Sequence, residues 1–225
     1  PQKINFGSDT ASRISTSSGG AAGNVAAWLT RTDARSTIVS HVGDDPAGAA
    51  IVAEFDALGV SHGDLVIPGE TSGVVVVLVD SSGERTMFPD KGANSRLVVE
   101  DLPDLSQFQA VYISGYALLN PLARDGVLAM IAKIKAYGLP IYFDPASVGA
   151  MKDVTDKELH TWFSMMDVIL LNEEESIYLT GLVDIERALD YLLDFSQVVV
   201  IKRGSAGAIA KTRGFDSISL PAVAT

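Results

Sequence analysis

A chain of 225 residues, 47% hydrophobic and 20% charged, is long enough to bury roughly 70% of its unfolded surface, which predicts one domain spanning 1–225. A formal net charge of −11 argues against a phosphate-tracking nucleic-acid binder or a protein docked on an anionic membrane, both of which need a basic surface. The absence of cysteine removes disulfides, thiolate metal sites and a cysteine nucleophile, and fits a cytoplasmic setting; no apolar run approaches the roughly 18 residues of a membrane span. The first distinctive stretch is GGAAGNVAAW, Gly19 to Trp28, where glycines stand at the mouth of an apolar helix and Asn24 sits among alanines. Each glycine costs about 1 kcal/mol relative to alanine in a helix interior. Glycine at a helix entry instead allows positive φ and close approach to outward-pointing N–H groups, the geometry of a ligand seat. A Gly-rich loop followed by close helix packing accounts for this stretch equally well.

From Ser36 onward, short β-branched runs alternate with helical patterns. STIVSHV (36–42) reads as a strand and AGAAIVAEFDALG (47–59) as a helix with a glycine C-cap. GVVVVLVD (73–80) and RTMFP (85–89) read as an antiparallel hairpin turning near Ser82 and Gly83, a small lid of about 73–89 inserted beside the main sheet. Its continuous valines imply cover on both faces, which predicts packing against a second lid in a homodimer. VYISG (111–115), PIYFD (140–144), VILLN (168–172) and QVVVIK (197–202) read as strands, with helices at about 122–137, near Lys157, at 173–181 and at 185–193. Continuous apolar strands separated by helices predict a doubly wound, mostly parallel α/β sheet.

Ligands of open parallel sheets bind outside the carboxyl ends of the strands. Those ends carry Gly43-Asp44-Asp45, Gly115-Tyr116, Asp144-Pro145, Asn172-Glu173-Glu174-Glu175 and Lys202-Arg203-Gly204. Helix capping explains one or two of these, and less well an acidic cluster, an amide and a lysine at one edge. No P-loop motif, protein-kinase H-R-D, correctly spaced G-x-G-x-x-G or H-E-x-x-H occurs, and His41, His62 and His160 are too scattered to propose a metal site.

Taken in order, GGAAGNVA (19–26), VGDDPAG (42–48), GAN (92–94), FDP (143–145), NEEE (172–175) and KRGSAGA (202–208) resemble the ribokinase family, also called the PfkB carbohydrate kinases. The resemblance covers most of the chain and implies a ribokinase-like fold that moves the γ-phosphoryl of ATP to a hydroxyl of a small sugar under a β-sheet lid. It implies that Gly19 and Gly20 let the sugar approach the backbone, that Asn24 and Asn94 bind it, and that Asn172 and Glu175 organise magnesium and its waters. Glu175 is then the metal-side residue, and Lys202, Gly204 and Gly207 line the ATP site. An amide suits hydroxyl recognition because it both donates and accepts, and a carboxylate working through waters suits a small hard cation. Where Lys202 stands, family members often have threonine; a lysine there pairs with phosphate as a point charge.

The family's second signature, Asp-Thr-x-Gly-Ala-Gly-Asp, is expected beyond Thr225 together with the catalytic base, so residues 1–225 read as C-terminally incomplete and are expected to transfer little phosphoryl on their own. The first strand and its substrate-binding acid are also expected to be missing. A nucleoside such as adenosine is the alternative acceptor, and a non-catalytic sugar-binding or regulatory module is the reading from another class.

Overall fold

The computed structural model describes residues 4–223 and divides between Leu97 and Val98 into two units, each with its own buried core. The N-terminal unit begins with α1 (Ala21–Leu29), β1 (Thr37–Ile38), β2 (Val42–Gly43) and α2 (Pro46–Leu58). It continues with β3 (Ser61–His62), β4 (Val66–Ile67), β5 (Val74–Val79) and β6 (Arg85–Asp90). Pairing is parallel for β1 with β3 and for β2 with β4, and antiparallel for β5 with β6. The run read from sequence as one strand, 36–42, is therefore two short ones in different sheets. Its middle is diverted: the Ser40 hydroxyl and the His41 N–H both donate to Asn94 Oδ1, at 3.1 and 3.0 Å, in place of a strand partner.

Helix α2 starts where its sequence predicts. Asp45 accepts from the Gly48 N–H at 2.8 Å, Pro46 takes the first helical position where no N–H is needed, and Gly59 ends the helix at φ 72°. Its apolar side, Phe55 with Ile51, Val52 and Leu58, packs on Ala26, Ile38, Val42, Val60 and Leu65. The Phe55 ring lies against Gly23, where an added Cβ would stand 3.4 Å from it, an ordinary contact.

The hairpin β5–β6 has the predicted place and sense. Its turn is built around Asp80, whose Oδ1 accepts from Ser82 N, Ser82 Oγ and Glu84 N, with Gly83 at φ 91°. All six residues of β5 are exposed, Val76 by 55%. At the hairpin's root the two legs touch backbone to backbone: a Cβ on Gly92 would come within 2.4 Å of Thr71 O, and one on Gly73 within 2.8 Å of Lys91 O. Asp45 ties this root to α2. Its Oδ2 accepts from Ser72 N at 2.8 Å, its Oδ1 from Ser72 Oγ at 2.6 Å, and that buried hydroxyl also receives Gly43 N at 3.0 Å.

The C-terminal unit holds β7 (Val111–Ser114), α3 (Gly115–Leu119), α4 (Arg124–Tyr137), β8 (Ile141–Asp144), α5 (Val148–Met151) and α6 (Asp156–Phe163). Then follow β9 (Val168–Asn172), α7 (Glu173–Thr180), α8 (Ile185–Leu192), β10 (Val198–Lys202), β11 (Ala208–Thr212) and β12 (Ile218–Leu220). Its six-stranded sheet has the order β12-β11-β10-β9-β8-β7, parallel from β7 to β10 and antiparallel through β11 and β12. The mostly parallel α/β architecture expected from sequence is present, with two antiparallel strands that the pattern did not announce. Alternate strand residues Ile113, Ile141, Phe143, Ile169, Leu171, Val199 and Ile201 are buried with Ile131, Ile134, Leu159, Phe163, Leu189 and Leu192 of the helices. The rings of Phe143 and Phe163 meet at 5.9 Å, tilted by 57°.

Phe163→Ala is expected to lower the stability of this unit by about 3–5 kcal/mol, the cost of lost burial plus an unfilled cavity, measured by denaturant unfolding. A second expectation concerns acid. Hydrogen bonds, led by that from the Ser72 hydroxyl, lower the Asp45 carboxyl from 3.8 to about 2 in the folded chain. The stabilisation is complete above about pH 4 and is lost as pH falls toward about 2. Ser72→Ala should move the acid-unfolding midpoint of the N-terminal unit to higher pH; an unmoved midpoint would show that this cluster contributes nothing.

Candidate functional site

In the N-terminal unit the sugar-seat candidates lie at the entry of α1. Gly20 is the N-cap at φ 93° and ψ 131°, with no side-chain cap, so the first N–H groups of the helix carry no side-chain partner. An added Cβ on Gly19 or Gly20 would meet nothing within 4 Å. Packing therefore demands neither glycine; the conformation demands Gly20, and both leave the backbone open to approach. Asn24 is exposed one turn later, and its side-chain amide makes no hydrogen bond among the described residues. Asn94 differs. It lies in the segment after β6, half-buried, and its Oδ1 is already committed to Ser40 and His41, which leaves its Nδ2 as the group able to meet a ligand.

In the C-terminal unit the parallel strands all point to one edge of the sheet and bring the other candidates there. Ser114 pairs with Asp144, and Asn172 with Lys202. Lys202 Nζ donates to Asp144 Oδ2 at 2.6 Å, with the lysine half exposed and the aspartate mostly covered. The other oxygen of Asp144 accepts from Ala146 N at 3.0 Å and holds Ala146 at φ 77°, a left-handed conformation uncommon for a residue with a Cβ. Along the same edge Arg203 pairs with Glu173 at 3.3 Å.

Asn172 and Glu175 form a reciprocal capping box at the start of α7. Asn172 Oδ1 accepts from Glu175 N at 2.8 Å, and Glu175 Oε2 accepts from Asn172 N at 2.7 Å. The helix explanation for this pair is therefore real. It leaves unexplained why the glutamate is 97% buried, since a capping glutamate ordinarily faces water. Burial raises the proton affinity of Glu175, opposed by the Asn172 hydrogen bond, and the Asp144 charge raises it further. Tyr112, two residues before Ser114 on β7, is likewise pushed up by burial and by the charges of Asp144 and Glu175. Two carboxylates that raise the proton affinity of a common neighbourhood suit a cation, and the donor set fits a hydrated magnesium ion held through waters. Among the described residues no group of three or more histidine, aspartate or glutamate side chains is placed to coordinate a metal directly.

Gly204 and Gly207 shape the turn between β10 and β11, where Arg203 N donates to Gly207 O at 2.7 Å. Gly207, at φ 86°, is dictated by packing, because a Cβ there would overlap Leu220 O at 2.0 Å; Gly204, at φ 53°, faces open space. Sequence reasoning missed Tyr112 and the Asp45–Ser72 pair. Tyr112 was readable as the polar-tipped residue two positions before a strand end, whereas a bond across 27 residues left no local signal. Among the described residues no helix is long and apolar enough to cross a membrane.

A model of the pfkB family carbohydrate kinases matches residues 5–224. The chain is 29% identical to a fructokinase of Vibrio alginolyticus over 84% of its own length and 64% of that protein's. To a fructokinase of Klebsiella pneumoniae it is 31% identical, over 87% of its own length and 66% of that protein's. It thus spans just under two thirds of these curated relatives. The crystal structure of fructokinase from Vibrio cholerae O395, in fructose, ADP and calcium ion bound form, superposes with a TM-score of 0.77 at 27% identity, covering 92% of this chain and 69% of that one. With the model match running through both units, the chain belongs to the pfkB family of carbohydrate kinases.

Proposed function

We propose that this chain carries the ATP- and magnesium-binding and sugar-binding parts of a kinase that phosphorylates a hydroxyl of a small sugar. The observation that carries the reading is the charged strand edge of the C-terminal unit, where buried Glu175, Asp144 and the Asp144-bound Lys202 come together. The fructokinase relatives favour a sugar acceptor over a nucleoside.

In this reading Lys202 leaves Asp144 to meet a phosphate oxygen, an exchange that suits an ion pair of which one member is half exposed. A hydrated cation held at this edge would have its waters oriented by Glu175, whose carboxylate the Asn172 N–H keeps fixed. Gly204 leaves room for the nucleotide beside the turn. Magnesium, when bound, supplies the positive charge that offsets negative charge on the transferring phosphoryl. In the N-terminal unit the free Asn24 amide and the open backbone at Gly19 and Gly20 hold the sugar hydroxyls, with Asn94 contributing its Nδ2. The hairpin β5–β6 serves as the lid over this seat, and its exposed valine faces pack against the hairpin of a second copy.

Four measurements test the proposal. Asn24→Ala is expected to weaken fructose binding by about 1–3 kcal/mol in calorimetry and to leave Mg-ATP binding unchanged. Glu175→Gln preserves the capping geometry, since glutamine also accepts from Asn172 N, so the fold should hold while Mg-ATP affinity falls about tenfold. Equal Mg-ATP affinity in that variant would reduce Glu175 to a helix cap. Calorimetry with fructose, ribose and adenosine as ligands identifies the substrate class, and a preference for adenosine would overturn the sugar assignment. For the lid, light scattering at micromolar concentration should give a dimer that Val76→Asp converts to a monomer; a monomeric wild type removes the pairing.

A further inference from the structure

Helix α1 presents a second group beside the proposed sugar seat. Trp28 is 69% exposed, although tryptophan in a chain of this size is ordinarily covered, and it stands four residues after Asn24. Residues at i and i+4 share a helix face, and four residues rise only about 6 Å along the axis. Side chains on a helix lean toward its N-terminus, so a residue at this position covers the helix surface on the side of the turn that carries Asn24. Arg31, a turn further on, has its guanidinium carbon 5.8 Å from the ring centroid of Trp28. A cation on one part of the ring holds the indole in place and leaves the rest of its surface exposed. The stripe therefore reads, from the helix entry onward, as open backbone, a free amide and an exposed aromatic plane.

We propose that Trp28 is a specificity-determining contact for the acceptor, its indole covering the C–H face of a sugar ring whose hydroxyls are held by Asn24. The inference rests on the sugar-seat reading above and adds what that reading lacks. Hydroxyl recognition by an amide does not distinguish one sugar from another, whereas an aromatic plane selects rings by the layout of their apolar C–H surface. It assigns the site an acceptor with one uncharged, C–H-bearing ring face, and disfavours a ring bearing a charged group on that face.

The chain contains two tryptophans, and Trp162 is buried at 3% exposure, so emission that responds to added sugar can be traced to Trp28. Titration of residues 1–225 with D-fructose should quench or shift the emission saturably and protect it from acrylamide. Both effects should vanish in Trp28→Phe, which retains Trp162 as an internal control. In calorimetry Trp28→Ala should weaken fructose binding at least fivefold, Trp28→Phe should restore it to within about twofold, and Mg-ATP binding should be the same in all three proteins. Fructose affinity unchanged in Trp28→Ala but lost in Asn24→Ala overturns the role of Trp28 while keeping the seat. Affinity unchanged in both variants overturns the seat and this inference together, as does a wild type that binds no fructose, ribose or adenosine. Emission that follows protein concentration and ignores sugar shows instead that the indole is covered by a second copy, and also overturns the proposal.

Discussion

Parallel pairing in register governs the C-terminal unit and, through it, the chemistry proposed for the chain. β7, β8 and β9 each lead into a helix and β10 into a tight turn, and the residue at the end of each apolar run is delivered to the same edge of the sheet. Asn172 and Lys202 are paired in register at the ends of β9 and β10, and Asp144, which ends β8 two residues short of them, is reached by the Lys202 side chain. The apolar residues behind them fix the register. A slip of one position would move the fully buried Ile169 and Leu171 to the opposite face of the sheet and put the half-buried Leu170 in their layer. The energy that holds the polar edge therefore comes mostly from the buried face, and the ion pairs along the edge are free to exchange partners without endangering the fold.

The N-terminal unit is organised differently. Its β1–β3 and β2–β4 pairs are two residues long and cannot impose an arrangement by themselves, so long-range side-chain bonds do much of that work. Asn94 reaches back to Ser40 and His41, and Asp45 reaches forward to Ser72. Both bonds tie the legs of the β5–β6 hairpin to the small sheets and to α2. A hairpin attached through two crossing glycines and a carboxylate is firmly placed at its root, while its valines are exposed in the single chain.

This contrast explains which parts of the protein were legible in its sequence. VYIS, IYFD, VILLN and VVVIK announce themselves as strands because they are continuous apolar runs bounded by glycine, proline or acidic residues, and α2 carries both of its caps in the local text. The division of 36–42 was not legible, since the bond that causes it comes from Asn94. Nor were β11 and β12: AIAKT has weak strand propensity, and it is the pairing with β10 that makes it a strand. Of the site residues, Asn24, Asn172, Glu175 and Lys202 stood out by type and position. That Asn172 and Glu175 clasp one another is visible only in the folded chain, as is the packing role of Gly207.

The clasp at the start of α7 has an evolutionary consequence. One pair of side chains nucleates a helix and, in the proposed enzyme, also orders the surroundings of an ion, so mutation strikes both tasks at once. A descendant that had abandoned phosphoryl transfer would still be selected to keep Asn-x-x-Glu, because losing it would fray the helix that follows β9. Retention of this pair among relatives therefore reports on folding as much as on catalysis. The informative positions for tracing the gain or decay of activity are those without structural duty, above all Asn24, whose amide holds nothing in the fold, and Lys202, whose aspartate partner remains bound to Ala146 when the lysine departs.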